Sequence, residues 1–272
     1  MNPFDTIQEA ASFLQPHNSA GATVGIVLGS GLGNFVQEIE VEKEISYSDI
    51  PHFPVSTVEG HSGKLIFGRV AGKPVIAMAG RFHFYEGYST TDVVFPIRVM
   101  KALGVQTLFL SNAAGGVDPS WKVGDLMIIT DHISFATHNP LLGRNDDRLG
   151  PRFPDMSEPY KKTLIARAKQ IAAANDIALR EGVYFGVTGP TFETRAEYRL
   201  IHILGGHAVG MSTVQEVIAA RHAGMDVFGM SVITDIGIRE EDNIITHEEV
   251  LEAAHAAEPK LTLIFRELIR GL

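Results

Sequence analysis

Arg81, His83 and Tyr85 stand at alternate positions in Gly80-Arg81-Phe82-His83-Phe84-Tyr85-Glu86-Gly87, directly after the apolar run Pro74-Val75-Ile76-Ala77-Met78-Ala79. Such a run reads as a buried strand, and its exit is where α/β proteins place chemistry. If extended backbone persists past the strand, the period of two gathers a permanent cation, a titratable donor and an aromatic hydroxyl on one side. Arginine offers paired donors matched to phosphate, histidine adds a donor near neutral pH, and a tyrosine ring can cover a sugar. The row suits an oxyanion bound beside a sugar; a surface loop with a salt bridge is the plainer alternative.

Other blocks add to it. Val27-Leu28-Gly29-Ser30-Gly31-Leu32-Gly33 reads as a strand entering a glycine-rich turn and a helix N-terminus, where backbone amides and the Ser30 hydroxyl suit phosphate. Asn34 replaces the third glycine of a dinucleotide fingerprint, and no P-loop ending follows. Gly60-His61-Ser62-Gly63 sets a histidine in a tight turn, and Ser111-Asn112-Ala113-Ala114-Gly115-Gly116 lets backbone approach a ligand closely. In Gly189-Pro190-Thr191-Phe192-Glu193-Thr194 an aromatic ring precedes a carboxylate, a pair able to stack on a heterocycle and accept its N–H groups. Gly210-Met211-Ser212 supplies a second hydroxyl and an apolar face for a sugar. Each block alone fits a cap or a turn; their combination points to one ligand site.

Positioning these residues requires an α/β scaffold. Short apolar runs at 23–28, 64–70, 74–79, 107–111, 126–130, 183–187, 208–211 and 227–234 read as strands, mainly parallel in the core. Amphipathic spacing predicts helices over 3–14, 90–103, 159–174, 195–204, 214–223 and 247–268, and residues 140–157 read as a long functional loop. The 272 residues, 45% hydrophobic and 20% charged, fit an ordinary globular protein. No apolar run suggests a membrane span, and the N-terminus lacks a signal-peptide pattern, which points to the cytoplasm. The absence of cysteine excludes disulfides, thiolate metal sites and cysteine nucleophiles. A net charge of −9, with 23 basic residues dispersed among 32 acidic ones, argues against a nucleic-acid polymer and leaves a nucleoside-sized ligand open. A serine hydrolase lacks its G-x-S-x-G, a zinc enzyme its H-E-x-x-H, and a nicotinamide enzyme its third glycine.

Together, GSGLG at 29–33, GHSG at 60–63, GRFHFYEGY at 80–88, NAAGG at 112–116, RFP at 152–154, GPTFET at 189–194, GMSTV at 210–214 and HEEV at 247–250 closely resemble the trimeric purine nucleoside phosphorylases acting on 6-oxopurine nucleosides. The likeness extends over almost the whole chain in order and spacing. It implies a single domain over residues 1–272, built on a large mixed, mainly parallel β-sheet flanked by helices. It also implies a homotrimer and phosphorolysis of purine ribo- or deoxyribonucleosides to free base and pentose 1-phosphate. Phosphate is then a co-substrate, and no metal or organic cofactor is expected.

Carried over by position, the resemblance assigns phosphate to Ser30, His61, Arg81, His83, the Ala113 amide and Ser212. It assigns the ribose to Tyr85, Tyr184, Met211 and His247, with Phe153 reaching in from a neighbouring subunit. The base falls to Phe192, Glu193, Thr234 and Asp235, and the catalytic set is His83, Glu193, Asp235 and His247. Asp235 departs from the family pattern, which usually has asparagine there. An asparagine amide donates toward purine N7 or O6, whereas an ionised aspartate only accepts. The expectation is therefore a preference broadened or shifted toward adenosine or xanthosine, or an aspartate protonated by burial. A noncatalytic nucleoside-binding protein and a nucleosidase using water are the rival readings.

Overall fold

The computed structural model describes residues 2–30, 32–55, 62–238 and 246–272. In chain order it contains α1 (Pro3–Leu14), β1 (Val24–Leu28), β2 (Glu40–Ser46), β3 (Lys64–Val70), β4 (Lys73–Ala79), α2 (Thr90–Ala102), β5 (Thr107–Gly116) and β6 (Leu126–Ile133). There follow α3 (Lys162–Ala174), β7 (Leu179–Gly186), α4 (Arg195–Ile203), β8 (Ala208–Gly210), α5 (Val214–His222), β9 (Asp226–Ile236) and α6 (His247–Arg270). The local chemistry explains several starts. Ser89 with Asp92, Thr194 with Glu197 and Thr246 with Glu249 form capping boxes that satisfy the first amides of α2, α4 and α6.

The nine strands among the described residues join one mixed sheet. β1 lies between β4 and β5, parallel to both, and all five of its residues are buried, as a strand covered on both faces requires. β5 also pairs parallel with β9 and antiparallel with β8, while β6 pairs with β7 and β9 and β7 with β8. The pairings β5–β9–β6–β7–β8–β5 therefore close a ring of strands, and the antiparallel β2, β3 and β4 extend the sheet beyond β1. α6 buries Ala254, Ala257, Leu261, Ile264, Phe265 and Leu268 at three- and four-residue spacing, and Phe265 meets Phe109 of β5 and Phe228 of β9. No helix among the described residues is long and apolar enough to cross a membrane.

Three departures from the sequence expectation matter. β2 escaped notice because it is a charged edge strand, Glu-Val-Glu-Lys-Glu-Ile-Ser, with Ile45 as its buried residue. β5 and β9 run on to Gly116 and Ile236, so the Asn-Ala-Ala-Gly-Gly block is strand and not a turn. The glycine-rich turn at 29–33 leads into a short 3-10 helix, Gly33–Glu38, instead of an α-helix, so little helix dipole is aimed at Ser30.

Candidate active site

A cavity opens at the ends of these strands, and its polar lining falls into two hydrogen-bonded clusters. The first is built on Arg81. Gly80, at φ +101°, turns the chain out of β4 in a conformation that favours glycine. The Tyr47 hydroxyl donates to the Gly80 carbonyl at 2.8 Å and fixes that corner. Arg81 is 1% exposed; its Nε donates to Glu216 Oε1 at 3.1 Å, and its Nη1 donates to the Ser111 carbonyl at 2.7 Å and to Ser212 Oγ at 3.4 Å. Glu216, itself buried in α5, balances the guanidinium from behind.

His83 follows with its Nδ1 3.1 Å from Glu86 Oε1 and its backbone N–H donating to the same oxygen at 2.7 Å. Burial, with a smaller opposing pull from Glu86, holds the His83 imidazole below its ordinary value. The ring stacks on Tyr85 at 4.6 Å and 15°. Burial pushes the Tyr85 phenol up to about 12, which keeps it a hydroxyl donor at neutral pH. The row Arg81, His83, Tyr85 thus reaches one cavity as expected, although through a left-handed glycine and a 3-10 turn at Phe84–Glu86 and not through continued strand.

Ser212 is aimed by backbone strain. Thr213 has φ 71° and ψ −52°, and the Val214 N–H donates to the Ser212 carbonyl at 2.7 Å, which defines a γ-turn of the rarer, strained hand. Such a residue costs about 1–3 kcal/mol and persists only where its surroundings hold it. Asn112 does so, its Nδ2 donating to Thr213 Oγ1 at 2.8 Å. Ser30 and Ala113 line the same end of the cavity.

The apposition of Gly29 to β5 tolerates no side chain. A Cβ there would lie 2.6 Å from the Ser111 carbonyl oxygen and 2.9 Å from Asn112 Cα, backbone atoms that cannot step aside. Gly29→Ala is expected to cost about 1–3 kcal/mol of stability by overpacking and to weaken phosphate use by displacing Ser30. Urea unfolding and the KM for phosphate measure the two effects, and an unchanged midpoint would contradict the close approach.

The second cluster holds the carboxylates. Between β5 and β9 the register shifts after Ala114, so that Gly115 pairs with Asp235 and Thr234 is skipped. The irregularity lets the neighbours Thr234 and Asp235 both line the cavity, where regular pleating sends neighbours to opposite faces. Asp235 is 7% exposed; it accepts from the Thr234 hydroxyl at 3.2 Å and from the Tyr198 hydroxyl at 3.3 Å. Glu193 lies beside it. Burial raises the Glu193 carboxyl above its ordinary value, its own backbone amide and the Tyr198 hydroxyl pull it back, and the Asp235 charge raises it further.

Phe192, Met211 and His247 complete the lining, together with Val209 and Val250. Tyr184 stands behind the wall and not on it: it is fully buried, and its hydroxyl accepts from the Ser212 N–H at 3.4 Å. From there it supports the Ser212 turn. Phe153 is 87% exposed on an outer groove with Leu142 and Met156, outside the cavity of its own chain. His61 lies outside the described residues. Asn112, Thr213, Glu216 and Tyr198 are the residues that sequence reasoning missed. Among the described residues no group of three or more His, Asp or Glu side chains could hold a metal ion.

The architecture and the chain both have close counterparts. The family profile described as the phosphorylase superfamily matches residues 23–270. Purine nucleoside phosphorylase 1 of Geobacillus stearothermophilus is 53% identical over 268 residues, 98% of this chain and 97% of that protein. The crystal structure of isoform 2 of the purine nucleoside phosphorylase from Schistosoma mansoni, in complex with cytosine and ribose-1-phosphate, superposes with a TM-score of 0.95 at 42% identity, covering 100% of this chain and 99% of that one. A Schistosoma mansoni purine nucleoside phosphorylase in complex with adenosine gives 0.93 at 41% identity, covering 98% of this chain and 97% of that one. With sequence and fold in agreement along nearly their full length, the chain belongs to the purine nucleoside phosphorylases, pentosyltransferases of the phosphorylase superfamily.

Proposed function

We propose that the cavity performs phosphorolysis of inosine and guanosine and their deoxy forms, with Asp235 extending the reaction toward adenosine. The observation that carries this reading is the pairing, in one cavity, of an Arg81–Ser212 cluster suited to an oxyanion with a Glu193–Asp235 cluster suited to a base edge. Phosphate sits against Arg81, Ser212, Ser30, His83 and the Ala113 amide. The ribose lies against Met211, Tyr85 and His247, and the purine beside Phe192 with its N1 edge toward Glu193. A phosphate oxygen forms the new bond to C1′ as the C1′–N9 bond breaks, and the bonding pair leaves with the purine. The transition state is oxocarbenium-like, so the phosphate's negative charge stabilises the sugar while donors at N7 and O6 stabilise the departing base. No protein nucleophile takes part. Phosphate is a co-substrate and no cofactor is involved. Phe153, exposed on its own chain, serves a neighbour's ribose site in a homotrimer.

The test is release of free base from inosine, guanosine, xanthosine and adenosine with and without phosphate. The expected result is base release that requires phosphate and yields pentose 1-phosphate. Equal release in phosphate-free buffer points instead to a nucleosidase using water and overturns the proposal.

A further inference from the structure

Behind Ser30 the chain is fastened to α6 by a carboxyl group that lies outside the cavity. Leu32, the residue before the 3-10 helix Gly33–Glu38, offers no side-chain cap, so the first amides of that helix need an acceptor from elsewhere. Glu258 of α6 supplies it from 223 residues away in sequence. Its Oε1 accepts from the Phe35 N–H at 3.1 Å and its Oε2 from Asn34 Nδ2 at 2.9 Å. Glu258 is 3% exposed. His255, one turn earlier on α6 and half exposed, has its Nδ1 3.5 Å from Glu258 Oε2 and 3.4 Å from Asn34 Nδ2.

Accepting at both oxygens is what a carboxylate does, whereas an amide of the same length presents an NH2 group at one end. A buried carboxyl group adds little net stability over an apolar residue of the same size. What it adds is a fixed register between two segments, here α6 and the stretch that carries Ser30. On the upstream side of Ser30 the Gly29 N–H donates to Ser111 Oγ at 3.3 Å. On the downstream side the Leu32 N–H donates back to the Gly29 carbonyl at 3.1 Å, and Leu32 and Phe35 are fully buried. Phe35 meets Phe265 of α6 edge-on at 6.0 Å. The far end of the short helix has one more tie, Glu38 Oε2 to Arg266 Nη1 at 3.1 Å, but that pair is about one-third exposed and contributes little.

α6 is the rigid side of this junction, with Ala254, Leu261, Ile264, Phe265 and Leu268 fully buried. The same helix presents His247 to the cavity, about 16 Å along its axis from Glu258. We infer that Glu258 is a positioning residue for the phosphate end of the reaction: it clamps Asn34 and Phe35 to α6 and thereby sets Ser30 against the phosphate. The inference rests on the proposed phosphorolysis, in which Ser30 donates to phosphate. Glu258 touches neither substrate and acts through Ser30. The attacking oxygen must stand about 3–3.5 Å from C1′ before it reacts, and a hydroxyl that shifts with its loop no longer holds it there.

The experiment measures the KM for phosphate, the KM for inosine and the urea midpoint in the wild type, Glu258→Met, Glu258→Gln, Ser30→Ala and the double variant Ser30→Ala with Glu258→Met. Phosphate-dependent turnover by the wild type is scored first and tests the phosphorylase reading by itself. Methionine keeps the reach of the side chain and removes both acceptors. The KM for phosphate is expected to rise about tenfold, while the KM for inosine stays within about twofold. Glutamine still accepts from Phe35, and the Asn34 amide can turn its oxygen to the new NH2 group, so this variant is expected within about threefold of the wild type. With the Ser30 hydroxyl already gone, Glu258→Met is expected to raise the KM for phosphate by less than about twofold more. Should Glu258→Met fold poorly, Asn34→Ala removes the exposed half of the clamp and is expected to raise the KM for phosphate about threefold. An unchanged KM for phosphate in a variant whose urea midpoint falls, an equal rise in both KM values, a glutamine variant as impaired as the methionine one, or the full rise repeated in the Ser30→Ala background would each overturn the clamp and leave the phosphorylase reading in place. A wild type that releases base equally well without phosphate would overturn both.

Discussion

Arg81→Ala lowers kcat/KM for phosphate by about a thousandfold or more, the upper end of what removal of one preorganised donor costs, because this residue supplies a full cation as well as hydrogen bonds. The loss appears in phosphate kinetics while the nucleoside still binds through the carboxylate cluster. A second effect is structural. Glu216 is left buried with no cation opposite Oε1, and breaking a buried pair from one side costs about 3–5 kcal/mol. The two effects separate in Arg81→Ala with Glu216→Gln, which recovers much of the stability in urea unfolding and none of the activity. Retained phosphorolysis in either variant would remove Arg81 from the phosphate site.

Asp235→Asn moves the preference of the enzyme toward 6-oxopurines. The amide donates to O6 or N7 in every protonation state of its neighbours, and its neutral carbonyl is a weaker acceptor for a 6-amino group than an ionised carboxylate. Exchanging a matched partner for a mismatched one at a buried site is worth about 1–3 kcal/mol. The inosine-to-adenosine ratio of kcat/KM therefore rises roughly tenfold to a hundredfold. An unchanged ratio would show that Asp235 does not read the base, whatever its place in the cavity.

Much of this was visible in the residues alone, for physical reasons that differ by element. The runs that became β1, β3, β4 and β9 are apolar because the strands are largely buried, and the helical spacing of α6 reflects one face packed on the sheet. The alternation Arg81, His83, Tyr85 marked one end of the cavity because charged and aromatic groups at a strand exit stand out. β2 did not, since its stabilising pairs lie in backbone hydrogen bonds to β3 and its side chains face water. The strand character of Ala113, Ala114, Gly115 and Gly116 was hidden by residues depleted from strands, held extended here by β9 along all four and by β8 at Gly115 and Gly116. Thr213 gave no sign of its positive φ, because a β-branched residue is among the last expected there. Glu216 and Tyr198 lie on helices whose spacing accounts for them as ordinary helical residues; that one faces Arg81 and the other Asp235 depends on contacts between segments far apart in sequence.

The closing of β5 against β9 joins Thr107 to Asp226, so the cavity wall that carries Asp235 cannot exist before the chain between them has folded back on itself. Contacts of such long range make folding slow, because the entropy of closing the loop is lost before the pairing returns anything. A ligand held by Ser30, Arg81, Ser212 and Asp235 together finds no partner in a half-formed chain. Such a ligand would therefore slow unfolding without speeding folding.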